Sequence, residues 1–415
     1  MTKLFTNISK DQWAVFLSAT FGYGFFYVTR LSFSLTKNSM TEEGIFTTSE
    51  IGYIGSALFF TYAIGKLVNG IIADRVNVRY LMSIGLFASS CINLMLGFSE
   101  GFFAFAVLWG LNGWFQSMGA PSSVVSISRW FSGKNRGSFY GMWSSSHNIG
   151  EAVTFLVTAV IVSYFGWQWG FRAAGLSAMV ITVLVFIFLK PHPDGNTIDI
   201  KNQEQSLLKV QLGIFTNINV WVIALASASF YITRYGINSW GVFFLQNEKG
   251  YTLIEAGSII SVNAIFGILG TFFSGIISDT LFKGRRNVPV LIFGGLYTIA
   301  TAMFVYGPAN WYLDALAMAL FGLSLGALLV YLGGLMVVDM CPKNVSGTAL
   351  GFVGIASYLG AGVQDILSGV FIEDGMTVTN GLNTYDFDQV KIFWVIAALV
   401  STILPLFVWH VKYKD

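Results

Sequence analysis

Three basic side chains, Arg30, Lys66 and Arg234, fall inside long apolar runs of a 415-residue chain. An isolated charge at mid-membrane costs about 2.5–3.5 kcal/mol on insertion scales, so three of them call for anionic company. Two of the three belong to a repeated phrase: Phe26-Tyr27-Val28-Thr29-Arg30 returns 204 residues on as Phe230-Tyr231-Ile232-Thr233-Arg234. If the two copies pack about an axis, the guanidiniums face one central cavity, where like charges repel unless water or an anion stands between them. The planar fork of arginine matches phosphate oxygens bidentately, and one dianionic phosphate satisfies two forks. The competing arrangement pairs each arginine with a buried carboxylate, for which Glu151 and Asp365 are the main candidates within the apolar runs.

Other polar groups have spacings that would bring them to the same place. Tyr23, Tyr27 and Arg30 stand four and three residues apart and share a helical face, and Tyr231 precedes Arg234 by the same three-residue step. Phenol hydroxyls there can bind phosphate or a sugar hydroxyl, although aromatic stripes also serve packing. His147, in Ser144-Ser145-Ser146-His147-Asn148, corresponds to Ser357 at an offset of 210 and so breaks the repeat where the halves need not be alike. It can donate to phosphate or change charge near neutral pH. Glu151, four residues on, could hold it as imidazolium; a plain structural bond across helices is the alternative. Gln364 and Asp365 could serve sugar hydroxyls or face a neighbouring helix. Three scattered histidines point to no metal site, Cys91 and Cys341 to no disulfide framework, and nothing suggests a cofactor. No nucleophile, base and oxyanion constellation supports an enzyme, and no Gly-rich Lys-Ser/Thr loop implies ATP.

The elements that must carry these residues are membrane helices. A composition of 54% hydrophobic, 16% aromatic and 11% charged residues is too apolar for a surface that meets water. About twelve apolar runs have spanning length, from 14–36 to 391–411, with 102–128 as the fourth and 138–162 as the fifth. The repeat recurs elsewhere: Gly70-x-x-x-Asp74 with Gly275-x-x-x-Asp279, and Gly137, Gly141 and Gly150 with Gly347, Gly351 and Gly360. The expected organisation is an N-terminal six-helix half over 1–190, a cytoplasmic linker over 191–213 and a C-terminal half over 214–415. With both termini cytoplasmic, the inner side holds sixteen of the twenty-three lysines and arginines, and the outer side only Lys37, Arg172, Lys249 and Lys391. The N-terminus reads as lacking a cleaved signal peptide. The compact loops suggest a bacterial inner membrane.

Gly70-Ile71-Ile72-Ala73-Asp74-Arg75-Val76-Asn77-Val78-Arg79 resembles the cytoplasmic loop motif of the major facilitator superfamily, with Asn77 where glycine is commoner. Asp74, Arg75, the second-copy Asp279 and Glu151 are expected to serve conformation. Within that superfamily, Tyr-x-x-Arg on the first helix, the second arginine on the seventh, Lys66 and Ser-His-Asn on the fifth resemble the organophosphate:phosphate antiporters. Ile64 to Gly70, Trp109 to Gln116 and Gly351 to Gly360 are most similar to the hexose-phosphate branch, which holds carriers and a membrane sensor. The resemblance implies an all-α membrane protein of twelve transmembrane helices in two pseudo-symmetric halves. It also implies that Arg30 and Arg234 bind a phosphoryl group, with His147, Lys66, Tyr27, Tyr231 and Trp143 around the cavity. Leu31, Ala120 and Ser239 depart from the pattern, which disfavours a narrow glycerol-phosphate pocket.

The expectation is therefore a monomer in the lipid bilayer that exchanges a phosphate ester, best guess hexose 6-phosphate, for inorganic phosphate by rocker-switch alternating access. No nucleic acid is implied. Two alternatives are a hexose-phosphate sensor acting with a histidine kinase, and a proton-coupled symporter of another anion or sugar using Glu151, His147 and Asp365.

Overall fold

A computed structural model describes residues 8–131, 133–191, 216–282, 286–341, 346–379 and 382–409, so the expected linker lies almost wholly outside the described residues. In the first half the helices are α1 Lys10–Glu42, α2 Thr48–Arg75, α3 Val78–Leu96, α4 Phe102–Gln116, α5 Gly119–Trp130, α6 Gly133–Ser144, α7 Ser146–Val153, α8 Ala159–Phe165 and α9 Trp167–Phe188. In the second they are α10 Ile218–Lys249, α11 Leu253–Thr280, α12 Asn287–Tyr306, α13 Trp311–Val330, α14 Met336–Met340, α15 Ser346–Asp374 and α16 Asp388–Ile403. A two-stranded antiparallel hairpin, β1 Met376–Thr379 and β2 Leu382–Tyr385, precedes α16 and was not foreseen.

Ten helical stretches among the described residues are long and apolar enough to cross a membrane. The other two expected runs are helical as well: α1 has 33 residues, and the run at 102–128 is divided into α4 and α5. Pro121 causes that division, because it has no N–H for the Ser117 carbonyl four residues back. Large apolar side chains such as Phe103, Phe188 and Phe272 stand exposed, as a lipid-facing surface requires.

Local chemistry repeats between the halves. Thr47 caps α2 and Thr252 caps α11, each in a reciprocal box with the glutamate three residues on, Glu50 and Glu255. A Cβ at Gly150 would lie 2.3 Å from the Gly24 carbonyl oxygen, and one at Gly360 2.7 Å from that of Ala228, the equivalent contact in the second half. Glycine there lets α7 ride directly on α1, and α15 on α10, which sets the depth at which their polar side chains meet.

The halves touch along their outer ends, the ends away from the chain termini. On the seam between α2 and α15, a Cβ at Gly52 would stand 2.5 Å from the Asp365 carbonyl oxygen, and one at Gly369 2.5 Å from that of Thr48. Nearer the termini, a Cβ at Gly70 or Gly351 on the same helices would meet no neighbouring helix within 4 Å. Glu373 of α15 closes the outer end: it accepts from the Ser49 N–H at 2.8 Å and the Thr48 hydroxyl at 3.1 Å. Asn38 and Asn247 join α1 to α10 at 2.7 Å.

Candidate functional site

Arg30 is 4% and Arg234 2% exposed, on α1 and α10. The backbone before Arg30 is held by amides from neighbouring helices: Asn93 and Asn112 donate to the Thr29 carbonyl at 3.0 and 3.2 Å, and Gln116 donates to the Thr29 hydroxyl at 2.8 Å. The Gln116 side-chain oxygen then accepts from Arg30 Nη2 at 3.2 Å. In the second half, Thr233 is anchored instead by donating to the Trp394 carbonyl at 2.8 Å. Both arginines thus project from backbones that have little freedom to move.

One residue ties the arginines together. The Tyr235 hydroxyl accepts from Arg30 Nη1 at 3.5 Å, and its ring lies 5.3 Å from the Arg234 guanidinium carbon. Arg30 also stands over Tyr62 at 4.5 Å and Tyr27 at 5.1 Å, and Arg234 over Tyr231 at 5.5 Å. Rings in this position stabilise a cation without neutralising it. Lys66 joins the group, 5.3 Å above the Tyr358 ring, which itself lies 5.4 Å from Tyr231 and 4.3 Å from Tyr62.

On the first-half side, Tyr23 packs on Trp143 at 5.0 Å and on Tyr27 at 5.6 Å, and Tyr27 on His147 at 5.5 Å. Arg30 Nε, Arg234 Nε, His147 Nε2, Trp143 Nε1 and Asn148 Nδ2 are all buried without a hydrogen-bond partner among the described residues. Buried polar atoms are normally satisfied, and four of these five belong to residues singled out for the cavity from sequence. No group of His, Cys, Asp or Glu suited to a metal ion occurs among the described residues.

The structure therefore brings together Arg30, Arg234, Tyr23, Tyr27, Tyr231, Lys66, Trp143 and His147. Tyr62, Tyr235, Tyr358 and Gln116 belong with them. Tyr62 was findable, being one turn before Lys66, and Tyr235 and Gln116 adjoin or sit within phrases already noted.

Other expectations are corrected. Asp365 is engaged within the protein: its Oδ1 accepts from Trp240 Nε1 at 2.6 Å, Ser239 at 2.7 Å and Lys37 at 3.4 Å. Gln364 turns toward Ser368, 2.9 Å away, which also accepts from Trp394 on α16. Glu151 does not hold His147; it accepts from Asn238 at 2.8 Å, while the His147 ring bonds the backbone of Ser144. Lys37 is not an outer-surface residue but is fully buried in α1, and Lys249 is nearly so, paired with Asp314 at 2.5 Å. Asp314 is thus a third buried carboxylate beside Glu151 and Asp365. None of the three forms an ion pair with Arg30 or Arg234 among the described residues. Asp74 and Arg75 are exposed, and the Asp74 carbonyl accepts from Arg129 at 3.4 Å. The Asp279 side chain lies outside the described residues, whereas Arg286, from the same second-copy loop, pairs with Asp339 at 3.2 Å.

A model of the Major Facilitator Superfamily matches residues 13–364. The chain belongs to the major facilitator superfamily. Its relatives put it in the organophosphate:phosphate antiporter branch of that superfamily. It is 30% identical over 374 residues to the "Membrane sensor protein UhpC" of Salmonella typhimurium, covering 84% of this chain and 83% of that one. It is 31% identical over 374 residues to a "Probable hexose phosphate transport protein" of Chlamydia muridarum, covering 84% and 82%. A solved bacterial homolog of the human lysosomal transporter Spinster superposes with a TM-score of 0.76 at 16% identity, covering 97% of each chain, and shares the major facilitator fold.

Proposed function

We propose that this major facilitator protein carries an organic phosphate ester, foremost a hexose 6-phosphate, across a membrane in exchange for inorganic phosphate. The observation that carries the reading is the set of buried donors Arg30 Nε, Arg234 Nε and Trp143 Nε1, which have no hydrogen-bond partner among the described residues. Two arginines and Lys66 cluster among the same tyrosine rings with no ion-paired carboxylate among the described residues, the charge pattern a phosphate dianion complements. The hexose-phosphate transport relative supports the sugar moiety.

Transport proceeds by rocker-switch alternating access between 1–190 and 214–415, joined by the 191–213 linker. Twelve helices span the membrane, a bacterial cytoplasmic one, with both termini on the cytoplasmic side, and the working unit is a monomer. The outer-end closure and the uncontacted Gly70 and Gly351 support an inward-facing state. Asp74, Arg75 and Asp279 latch the opposite state. Carrying the empty cavity through a closed intermediate would press uncompensated cations into low dielectric, so a bound anion lowers that barrier and makes exchange obligatory.

The test is counterflow in proteoliposomes. Labelled phosphate should enter only vesicles loaded with phosphate or glucose 6-phosphate, and Arg30→Ala or Arg234→Ala should abolish entry. Wild-type uptake into vesicles holding buffer alone would sink the exchange reading.

The sensor relative favours a second reading, in which the same cavity binds hexose phosphate and reports to a membrane histidine kinase. Binding of glucose 6-phosphate by the wild type with no flux in either direction would select it.

A further inference from the structure

We propose that Lys37, Ser239, Trp240 and Asp365 form an outer lock between the halves whose release is coupled to the arginine site, so that breaking it uncouples exchange into leak. The inference builds on the transport reading above and concerns residues on the outer side of the two arginines.

Lys37 comes from α1 and the other three from α10 and α15, so the cluster joins the first half to the second. Lys37 and Asp365 are 0% and 1% exposed, which makes theirs a buried ion pair rather than a surface one. Lys37 donates to the Ser239 hydroxyl at 2.7 Å, Ser239 in turn donates to Asp365 at 2.7 Å, and the ammonium lies 3.7 Å from the Trp240 ring centre. Removing one member of such a pair leaves an unpaired buried charge, so the closed arrangement depends on both. The neighbouring backbone is shaped to admit the carboxylate: a Cβ at Gly55 of α2 would fall 1.8 Å from Asp365 Oδ2, closer than atoms can approach.

The lock and the site share a helix and a wall. Arg234 and Tyr235 precede Asn238, Ser239 and Trp240 on α10 by one turn, so a tilt of α10 that draws Arg234 onto an anion also moves three residues of the outer closure. Asn238 extends the closure by holding Glu151 of α7, which ties a second first-half helix to the same turn. A cavity of about 20 Å³ is lined by Arg30 and Tyr235 together with Ser239 and Asp365, so the lock and the first arginine border one space. Anion binding and lock release therefore act on one short segment, the bistable element that coupling requires.

The test has two arms, both in a Cys91→Ala, Cys341→Ala background. In the first, spin labels at Phe103→Cys and Tyr312→Cys, exposed positions at the outer ends of opposite halves, report the outer separation by dipolar spectroscopy without substrate. Lys37→Ala or Asp365→Asn should raise the ratio of open to closed populations by about tenfold or more. The charge swap Lys37→Asp with Asp365→Lys should bring it back toward wild type. Where a charge variant does not fold, Ser239→Ala, which keeps both charges, should still raise the ratio by about twofold or more. Unchanged distributions in the folded variants would overturn the lock. In the second arm, vesicles loaded with labelled phosphate are diluted into phosphate-free buffer, and Asp365→Asn should leak several times faster than wild type. Opening without leak would overturn the coupling while leaving the lock intact. Because the first arm uses no ligand, it stands or falls separately from the exchange reading.

Discussion

Arg30 and Arg234 differ in how they are held, and the difference can be measured. Arg30 is braced by Gln116 and Tyr235, whereas the Arg234 guanidinium stands over the rings of Tyr231 and Tyr235. Replacing either by lysine keeps the charge but loses the fork, and should weaken phosphate binding by about 10- to 100-fold, read by ligand-dependent fluorescence or calorimetry. Gln116→Leu strips Arg30 of its shorter hydrogen bond and should cost more affinity than Tyr235→Phe, whose 3.5 Å bond is long, with the latter staying within about fivefold. Equal losses in the two would show that Gln116 does not orient the guanidinium. The repeated phrases made the arginines and their tyrosines legible in sequence. Lys37 was not legible, because counts of loop charge assign a residue near a helix end to the nearest surface, and only the 33-residue length of α1 draws it inside.

At the scale of elements, small residues decide which helices can touch. A Cβ at Gly113 of α4 would lie 2.2 Å from the Leu58 carbonyl oxygen of α2, while one at Gly70 would meet nothing. Gly113→Ala should therefore lower stability by about 1–3 kcal/mol through forced separation. Gly70→Ala should raise it by about 0.5–1 kcal/mol through helix propensity. Thermal unfolding in detergent, compared for the two, checks the sign of each. Hydropathy located the helices because lipid demands long apolar runs. It missed the division of the fourth run, for which Pro121 was the available signal, and the hairpin before α16, whose short strands bury too little to leave a periodic pattern. Whether Gln364 and Asp365 serve a ligand or a neighbouring helix was left open in sequence, because adjacent residues point to different faces and sequence does not say which neighbour each face meets.

At the scale of the whole molecule the helices of the two repeats meet at one end, and the proposed exchange cycle rests on parting them there. Gly55→Val should prevent α2 and α15 from closing around Asp365 and hold the outer end apart. In the spin-label experiment it should give the long distance with or without phosphate, and in counterflow it should give no exchange. A short distance in this variant would mean that α15 can shift to accommodate the side chain. The internal repeat made this two-part construction readable before any coordinates, since equivalent phrases imply equivalent folds. The pairing of outer ends was not readable, because the repeat says which helices are equivalent and not at which end the two copies meet.

The contact between Glu373 and the start of α2 has a practical consequence. One helix borrows part of its N-terminal cap from the opposite half, so the Ser49 amide is protected at 2.8 Å only while the outer ends meet. Under the proposed cycle its hydrogen-exchange rate is a built-in gauge: slow while the outer ends meet, fast once they part, and readable on the unlabelled wild-type protein in its native bilayer.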